Sequence, residues 1–422
     1  MTGTSPGGTL TAFFAGRAGR RISTVCAALG AFVIASSGLA PSAIAADVQS
    51  QQWYLDAMDA TGIWKVSTGE GVKVAVIDSG VNPETSSLKG QVLGDEVPKS
   101  VAYHATKDFN GHGTSVTELI VGTGAGGGLK GVAPGAKVVP YRIRLDGLKD
   151  KAEIKKTPDA TEAIKAAADT DAKIINMSFG SPYLYPAEEA AIKYAQSKGK
   201  LMFASVGNEA EKKNDIGYPA AYPYVVGVAA ADENGRVGNF SEHGRYVDLA
   251  APGLNVPAWC DATFRAYCDE AGTSFASAIA SASAALIWSA HPNWTANQVL
   301  RTLIDTAGRD WPKDRPSNYL GYGLIRPKRV VTNSNINPGP PNTDPLSLEN
   351  GPGALVSSPS PSPSAPASSQ APKNTSGGAD AAATSSSNFS DGNTQLYVIL
   401  GAVLVVAVGG GAFAVARKRR TA

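Results

Sequence analysis

Cysteine and histidine are scarce: the 422-residue chain holds three of the first and four of the second. That scarcity excludes a disulfide-dense secreted scaffold, and no Cys and His set stands at metal-ligand spacing. An excess of one charge is also missing, since 38 Lys and Arg face 36 Asp and Glu. Four of those cations, Arg417, Lys418, Arg419 and Arg420, stand in one cluster at the C-terminus. No basic stripe with interleaved aromatics occurs, so nucleic acid is not an expected partner. No Leu-Pro-x-Thr-Gly-like sorting signal is present either, so covalent attachment to a cell wall is not suggested.

What is present at the two ends points to export. Arg17, Arg20 and Arg21 precede an apolar run from Val25 to Ala40, and Ala43-Ile44-Ala45 follows with the small-x-small pattern of a cleavage site. Residues 1–45 therefore read as a signal peptide, with an uncleaved anchor as the alternative. Leu396 to Ala416 carries no charge, and Arg417, Lys418, Arg419 and Arg420 follow it. At 1.5 Å per residue the run would span roughly 30 Å, enough for a bilayer core. Positive-inside logic places the tail at 417–422 in the cytoplasm and the rest outside a single-pass cell membrane anchor. Residues 332–395 are rich in Pro, Ser, Ala, Asn and Gly, and cannot bury enough apolar surface to order themselves. They read as a disordered linker, whether a tether that gives reach or an inert spacer.

The remainder alternates strand and helix patterns. Val72–Ile77 is an apolar run ending in Asp78-Ser79-Gly80, and Val138–Ile143, Lys173–Met177, Leu201–Ser205 and Tyr224–Ala229 are similar. Helical patterns cover Thr161–Ala168, Pro186–Ser197 and Ser274–Ser289. This order predicts an α/β domain with a mainly parallel sheet over residues 72–331. In such sheets a site forms at the carboxyl ends of strands, where Asp78 and Asn208 fall.

Four strings carry chemistry. Asp78 at a strand end is placed to orient an imidazole, or is simply a turn residue. His112, in Asn110-Gly111-His112-Gly113-Thr114, stands in a glycine setting that His104 and His243 lack, while His291 reads as a surface residue in His-Pro-Asn. Ser274, in Gly272-Thr273-Ser274-Phe275-Ala276, opens a helix, whose free N–H groups and dipole favour negative charge. Alone it reads equally as a helix cap. Asn208, in Gly207-Asn208-Glu209, offers a side-chain amide to an oxyanion, or caps a turn.

Together these strings resemble the subtilisin-like (S8) serine peptidases, with Gly-His112-Gly-Thr and Gly-Thr-Ser274-x-Ala the most specific. The similarity runs from about Trp53 to Val331, and Gly131-Val-Ala-Pro134, Asn176-Met-Ser-Phe-Gly180 and Ala250-Ala-Pro-Gly253 add to it. It implies a three-layer subtilisin-like domain, an Asp78–His112–Ser274 triad, Asn208 as oxyanion donor, and no cofactor. It further implies that Ser178, Phe179, Gly180, Ser205, Val206 and Gly207 line the pocket for the residue before the scissile bond of a protein or peptide substrate. Gln52-Trp-Tyr-Leu55, Phe275 and the tethered C-terminal run are similar to mycosins, membrane-anchored subtilases associated with type VII secretion. That resemblance implies membrane secretion components as partners, and admits an alternative role as a structural subunit with hydrolysis dispensable.

Further expectations follow from individual residues. Cys260 and Cys268, an even pair in an exported chain, predict a disulfide close to Ser274. Residues 46–71 are too few for a folded inhibitory prodomain and are expected to pack on the catalytic domain, with no large prodomain removed. Gly122-Thr-Gly-Ala-Gly-Gly127 matches Gly-x-Gly-x-x-Gly but opens no helix, so it reads as a flexible loop near the substrate groove. Ala278 stands where subtilases usually have proline, and Thr117-Glu118 where they have a small pair. A glutamate there must face water or be paired.

Overall fold

The computed structural model describes residues 48–347, 349 and 350. The expected signal peptide, the apolar run at 396–416, the basic tail at 417–422 and most of the linker lie outside the described residues.

After a 3-10 turn at Val48–Gln51 come two short helices, α1 (Trp53–Ala57) and α2 (Ala60–Trp64), and then strand β1 (Lys73–Asp78). Helix α3 (His112–Val121), strand β2 (Lys137–Arg142), helices α4 (Lys151–Lys156) and α5 (Ala160–Ala168) and strand β3 (Ile174–Met177) follow. Next come α6 (Pro186–Ser197), β4 (Leu201–Ser205), β5 (Val225–Ala231) and β6 (Leu249–Pro252). A hairpin of β7 (Val256–Trp259) and β8 (Tyr267–Glu270) precedes α7 (Thr273–Ala290), α8 (Ala296–Thr306) and α9 (Lys328–Val331).

The six strands β2-β1-β3-β4-β5-β6 pair in that order, all parallel. Both faces of the sheet are covered, which is why its strands are apolar throughout rather than alternating. Val74 and Val76 of β1 join the core formed with α3, α7 and α8, whereas Ala75 and Ile77 join the core formed with α5 and α6. The strand order turns back at β1, which lies between β2 and β3. Asp78 ends β1 at this switch point, where the crevice of a doubly wound sheet opens.

Helix α7 is long and apolar enough to cross a membrane, yet it is buried within the domain. Its many Ala and Ser residues let it lie close against β3, β4, β5 and β6. Ala278 is fully buried in an unbroken helix, so this helix runs on without a proline at that turn.

The residues before β1 pack on the domain. Tyr54 and Ile63 are fully buried, Trp53 Nε1 donates to the carbonyls of Leu254 and Asn255, and Gln52 exchanges hydrogen bonds with the Lys130 backbone. Residues 332–347, 349 and 350, expected to begin the disordered linker, instead lie along the domain. Leu346 is buried, the Thr295 hydroxyl and the Asn297 amide donate to the Pro341 carbonyl, and Arg301 donates to that of Thr343. Tyr322 hydrogen-bonds Glu349 at the end of this stretch. A buried leucine and satisfied carbonyls offset the ordering cost that composition alone implied.

Candidate active site

The loop after β1 and the start of α3 are built around a carboxylate that sequence reasoning missed. Asp108 Oδ1 accepts from the Ser79 hydroxyl at 2.8 Å and from the N–H groups of Asn110 and Gly111 at 3.1 and 2.8 Å. Its Oδ2 accepts from the Thr114 N–H and hydroxyl at 2.8 and 2.7 Å. Five donors thus tie the Asp78 turn to the first turn of α3. The only sequence signal was an Asp a few residues ahead of a glycine-flanked helix start. Gly113 passes so close to the carbonyl of Gly80 that a Cβ there would sit 2.2 Å from its oxygen. Only glycine allows the approach that brings His112 to Asp78.

His112 Nδ1 lies 2.8 Å from Asp78 Oδ1, which also accepts the Ser79 N–H at 2.7 Å. Asp78 is wholly buried, while the His112 side chain stays about 30% exposed. Burial works against the imidazolium, but the charge and hydrogen bond of Asp78, with Asp108 and Glu270 beyond, outweigh it and raise the His112 pKa above the ordinary 6.5. Nδ1 therefore carries the proton toward Asp78 in the neutral ring, leaving Nε2 free to accept.

Ser274 is the second residue of α7, and its N–H has no intrahelical partner. Its hydroxyl donates to the Ser178 carbonyl at 3.1 Å, while the Ser178 hydroxyl donates to the Ser274 carbonyl at 2.9 Å. The Ser274 hydroxyl is thus parked on a carbonyl rather than on the imidazole, and the ring of neighbouring Phe275 stands 5.9 Å from that of His112. A rotation about χ1 is the step that would carry Oγ toward Nε2, in keeping with the loose hydrogen bonds of ligand-free catalytic sites.

Asn208 Oδ1 accepts from both the N–H and the hydroxyl of Thr273, each at 2.9 Å. An N–H has no acceptor capacity, so the oxygen must face Thr273 and the amide NH2 must face away, on the exposed side. Thr273 is therefore a positioning residue that sequence reasoning passed over. A polar network anchors the helix behind it. Asn176 Nδ2 donates to Ser178 Oγ at 2.9 Å, and Asn176 Oδ1 accepts from Ser277 and Ser281 at 3.0 Å each.

A pocket of about 410 Å³ opens beside Ser274. Phe179, Gly180, Ser205, Gly207 and Asn208 line it. Of the six expected pocket residues, Ser178 and Val206 are not among those lining it: the Ser178 side chain bonds to α7 as above, and Val206 is buried in the core. The glycine-rich loop at 122–127 also lies elsewhere. Gln49 Nε2 holds it by the carbonyls of Gly124 and Gly128, at 2.8 and 2.9 Å, and Gly126 to Gly128 line a different pocket with Trp259 and Tyr267.

Cys260 and Cys268 form a disulfide across the β7–β8 hairpin. The hairpin caps α3: Trp259 N–H donates to Ser115 Oγ at 2.9 Å, and Tyr267 Oη donates to Glu118 Oε2 at 2.8 Å. Thr85 donates to Glu118 Oε1 at 2.7 Å. Glu118 is thus buried and paired, and burial pushes its pKa up to about 7 against those hydrogen bonds. Of the other histidines, His104 pairs with Glu153 and His243 stacks on Tyr319. His291, expected at the surface, is half-buried and stacked on Trp294 at 3.8 Å. Among the described residues no cluster of His, Cys, Asp and Glu is arranged to hold a metal ion.

Comparison with known proteins follows the same lines. The profile of the subtilase family (Peptidase S8) matches residues 69–323. Subtilisin BL of Lederbergia lenta is 32% identical over 260 residues, which cover 61% of this chain and 90% of that one. The minor extracellular protease Epr of Bacillus subtilis is 31% identical over 67% of this chain, but the match spans only 42% of Epr. Among solved structures, the MycP3 protease from the type VII (ESX-3) secretion system is 27% identical and covers 66% of this chain and 88% of its own, with a TM-score of 0.55. MycP1 from Mycobacterium smegmatis is 25% identical, covers 69% and 86%, and also gives 0.55.

Proposed function

The chain belongs to the subtilase family, and from that premise we propose that it is a serine endopeptidase whose reacting groups are Asp78, His112 and Ser274. The observation that carries this is the pairing of His112 Nδ1 with the buried Asp78 carboxylate at 2.8 Å, with the ring of Phe275, the residue after Ser274 at the N-terminus of α7, 5.9 Å from the imidazole. Ser274 Oγ leaves the Ser178 carbonyl and attacks the scissile carbonyl, while His112 Nε2 takes its proton. Asp78 holds the tautomer and stabilises the imidazolium. The Ser274 N–H and the Asn208 amide, turned outward by Thr273, hold the oxyanion. His112 then returns the proton to the leaving amine, and water repeats the sequence on the acyl-enzyme.

The setting is export. The N-terminal signal pattern and the uncharged run at 396–416 support a catalytic domain held outside the cell membrane by one C-terminal span. The likeness to MycP1 and MycP3 supports a place beside a type VII-like secretion machine. The same likeness favours a second reading, in which the protein is also a structural subunit of that machine.

Labelling with a fluorophosphonate separates the two. The purified chain is expected to form an adduct at Ser274, mapped by mass spectrometry, and Ser274→Ala to form none. If the folded wild type stays unlabelled, the peptidase reading fails. Should Ser274→Ala still support export in the parent cell, a structural role stands beside catalysis.

A further inference from the structure

The pocket that holds Ser274 also holds a carboxylate that no step above uses. Glu242 lies in the loop between β5 and β6 and is buried, with 6% of its surface exposed. Its N–H donates to the Gly207 carbonyl at 3.0 Å, which ties that loop to the pocket wall. Its side chain reaches inward because two wall residues are glycines. A Cβ on Gly207 would meet Glu242 Oε2 at 2.0 Å, and one on Gly217 would meet it at 3.2 Å. Glu242, Gly207, Gly217 and Ser274 all line the one cavity.

The charges around it do not neutralise it. Lys212 and Lys213 stand at the same pocket, but Lys212 pairs with Glu209 at 2.8 Å and Lys213 with Asp215 at 3.0 Å. Three carboxylates therefore meet two ammoniums, and no Lys or Arg among the described residues pairs with Glu242. Burial, then the nearby charge of Asp215, pushes the Glu242 pKa up to about 7 against a hydrogen bond from the Glu209 backbone. A desolvated carboxyl of this kind gains most from a cation brought within hydrogen-bond reach. Phe179 on the wall supplies an apolar surface for the methylene stem that leads to such a head group.

We propose that Glu242 makes this a pocket for a basic side chain, so that the enzyme cleaves after Lys or Arg. The inference rests on the serine peptidase reading and names its substrate class. Glu242 is a specificity residue: it touches the side chain before the scissile bond, not the bond itself.

The test uses the full-length chain in detergent and a set of peptidyl coumarin amides that differ only in the residue before the cleaved bond: Arg, Lys, Gln, Leu or Phe. Fluorophosphonate labelling counts competent sites, so rates are compared per site. The wild type is expected to prefer Arg and Lys over Leu by roughly ten- to a hundredfold in kcat/KM, the worth of one charged hydrogen bond. Glu242→Gln should bring that ratio near one, and Glu242→Asp should keep part of it. Ser274-dependent turnover with no basic preference, or a preference that survives Glu242→Gln, would overturn the inference and leave the peptidase standing. Absence of labelling and of turnover with every substrate would remove the peptidase reading and this inference with it.

Discussion

Helices α3 and α7 each carry one of the proposed reacting groups in the first turn, but they are fixed by different means. Around α3 the fixing groups are carboxylates. Asp78 and Asp108 hold its N-terminal turn, and Glu118 sits buried on its flank under the disulfide hairpin. Around α7 they are neutral. Asn176 and Ser178 grip Ser274, Ser277 and Ser281, and small side chains bury the rest of the helix against the sheet. The difference suits the tasks. In the proposed mechanism His112 changes charge during turnover, and carboxylates set how readily it does so. Ser274 must keep its place whatever the pH, and amide and hydroxyl partners do not titrate.

That contrast can be broken most sharply at Asp78. Asp78→Asn should cut kcat by roughly 10⁴ while leaving Ser274 in place, because the wrong imidazole tautomer is then favoured; single-turnover acylation measures it. Asn176→Ala attacks the neutral side instead. It strips three buried hydroxyls of a shared partner and should lower stability by about 3–5 kcal/mol, read by urea unfolding. Next in size is Asp108→Asn, which keeps the size of the side chain but turns one accepting oxygen into an NH2 that faces N–H donors. A loss of roughly a hundredfold in kcat/KM is expected, the effect of a small misplacement of His112.

The smallest effect is at Glu118, and its sign depends on pH. Its folded pKa of about 7 stands above the ordinary 4.5, so the folded state keeps a proton that the unfolded state loses. Stability therefore falls as pH rises from about 4.5 to about 7 and then levels off. Glu118→Gln removes that loss. It should leave stability near the wild-type value at pH 4 and raise it by about 1–3 kcal/mol at pH 8, as thermal melts at both pH values would report.

The parts legible in the sequence were those written locally. The buried parallel strands appeared as unbroken apolar runs, and Asp78, His112, Ser274 and Asn208 each sat in a short string with its own turn or helix signal. Cys260 and Cys268 were close enough in the chain to be paired on sight. What stayed hidden depends on distant partners. Glu118 is explained by Tyr267, which is 149 residues away, and Asn208 is oriented by Thr273, 65 residues away. Glu242 looks like any loop glutamate until Gly207 and Gly217 are seen to make room for it. The β7–β8 strands and β6 have only four residues each, too short to carry a readable period. Residues 332–350 share the linker's composition, and what distinguishes them is the burial of Leu346 and partners such as Thr295, Asn297, Arg301 and Tyr322 far back in the chain.

Carboxylates poise His112, while neutral groups hold Ser274. The most direct test is the pH profile of kcat/KM for the wild type, Asp108→Asn and Asn176→Ala. In the proposed mechanism the neutral imidazole is the base, and its pKa is raised, so activity in the wild type should rise with pH through a midpoint above 6.5. Asp108→Asn should move that midpoint to lower pH, and Asn176→Ala should leave it where it is. A wild-type midpoint at or below 6.5, or one that Asn176→Ala moves as far as Asp108→Asn does, would contradict the account.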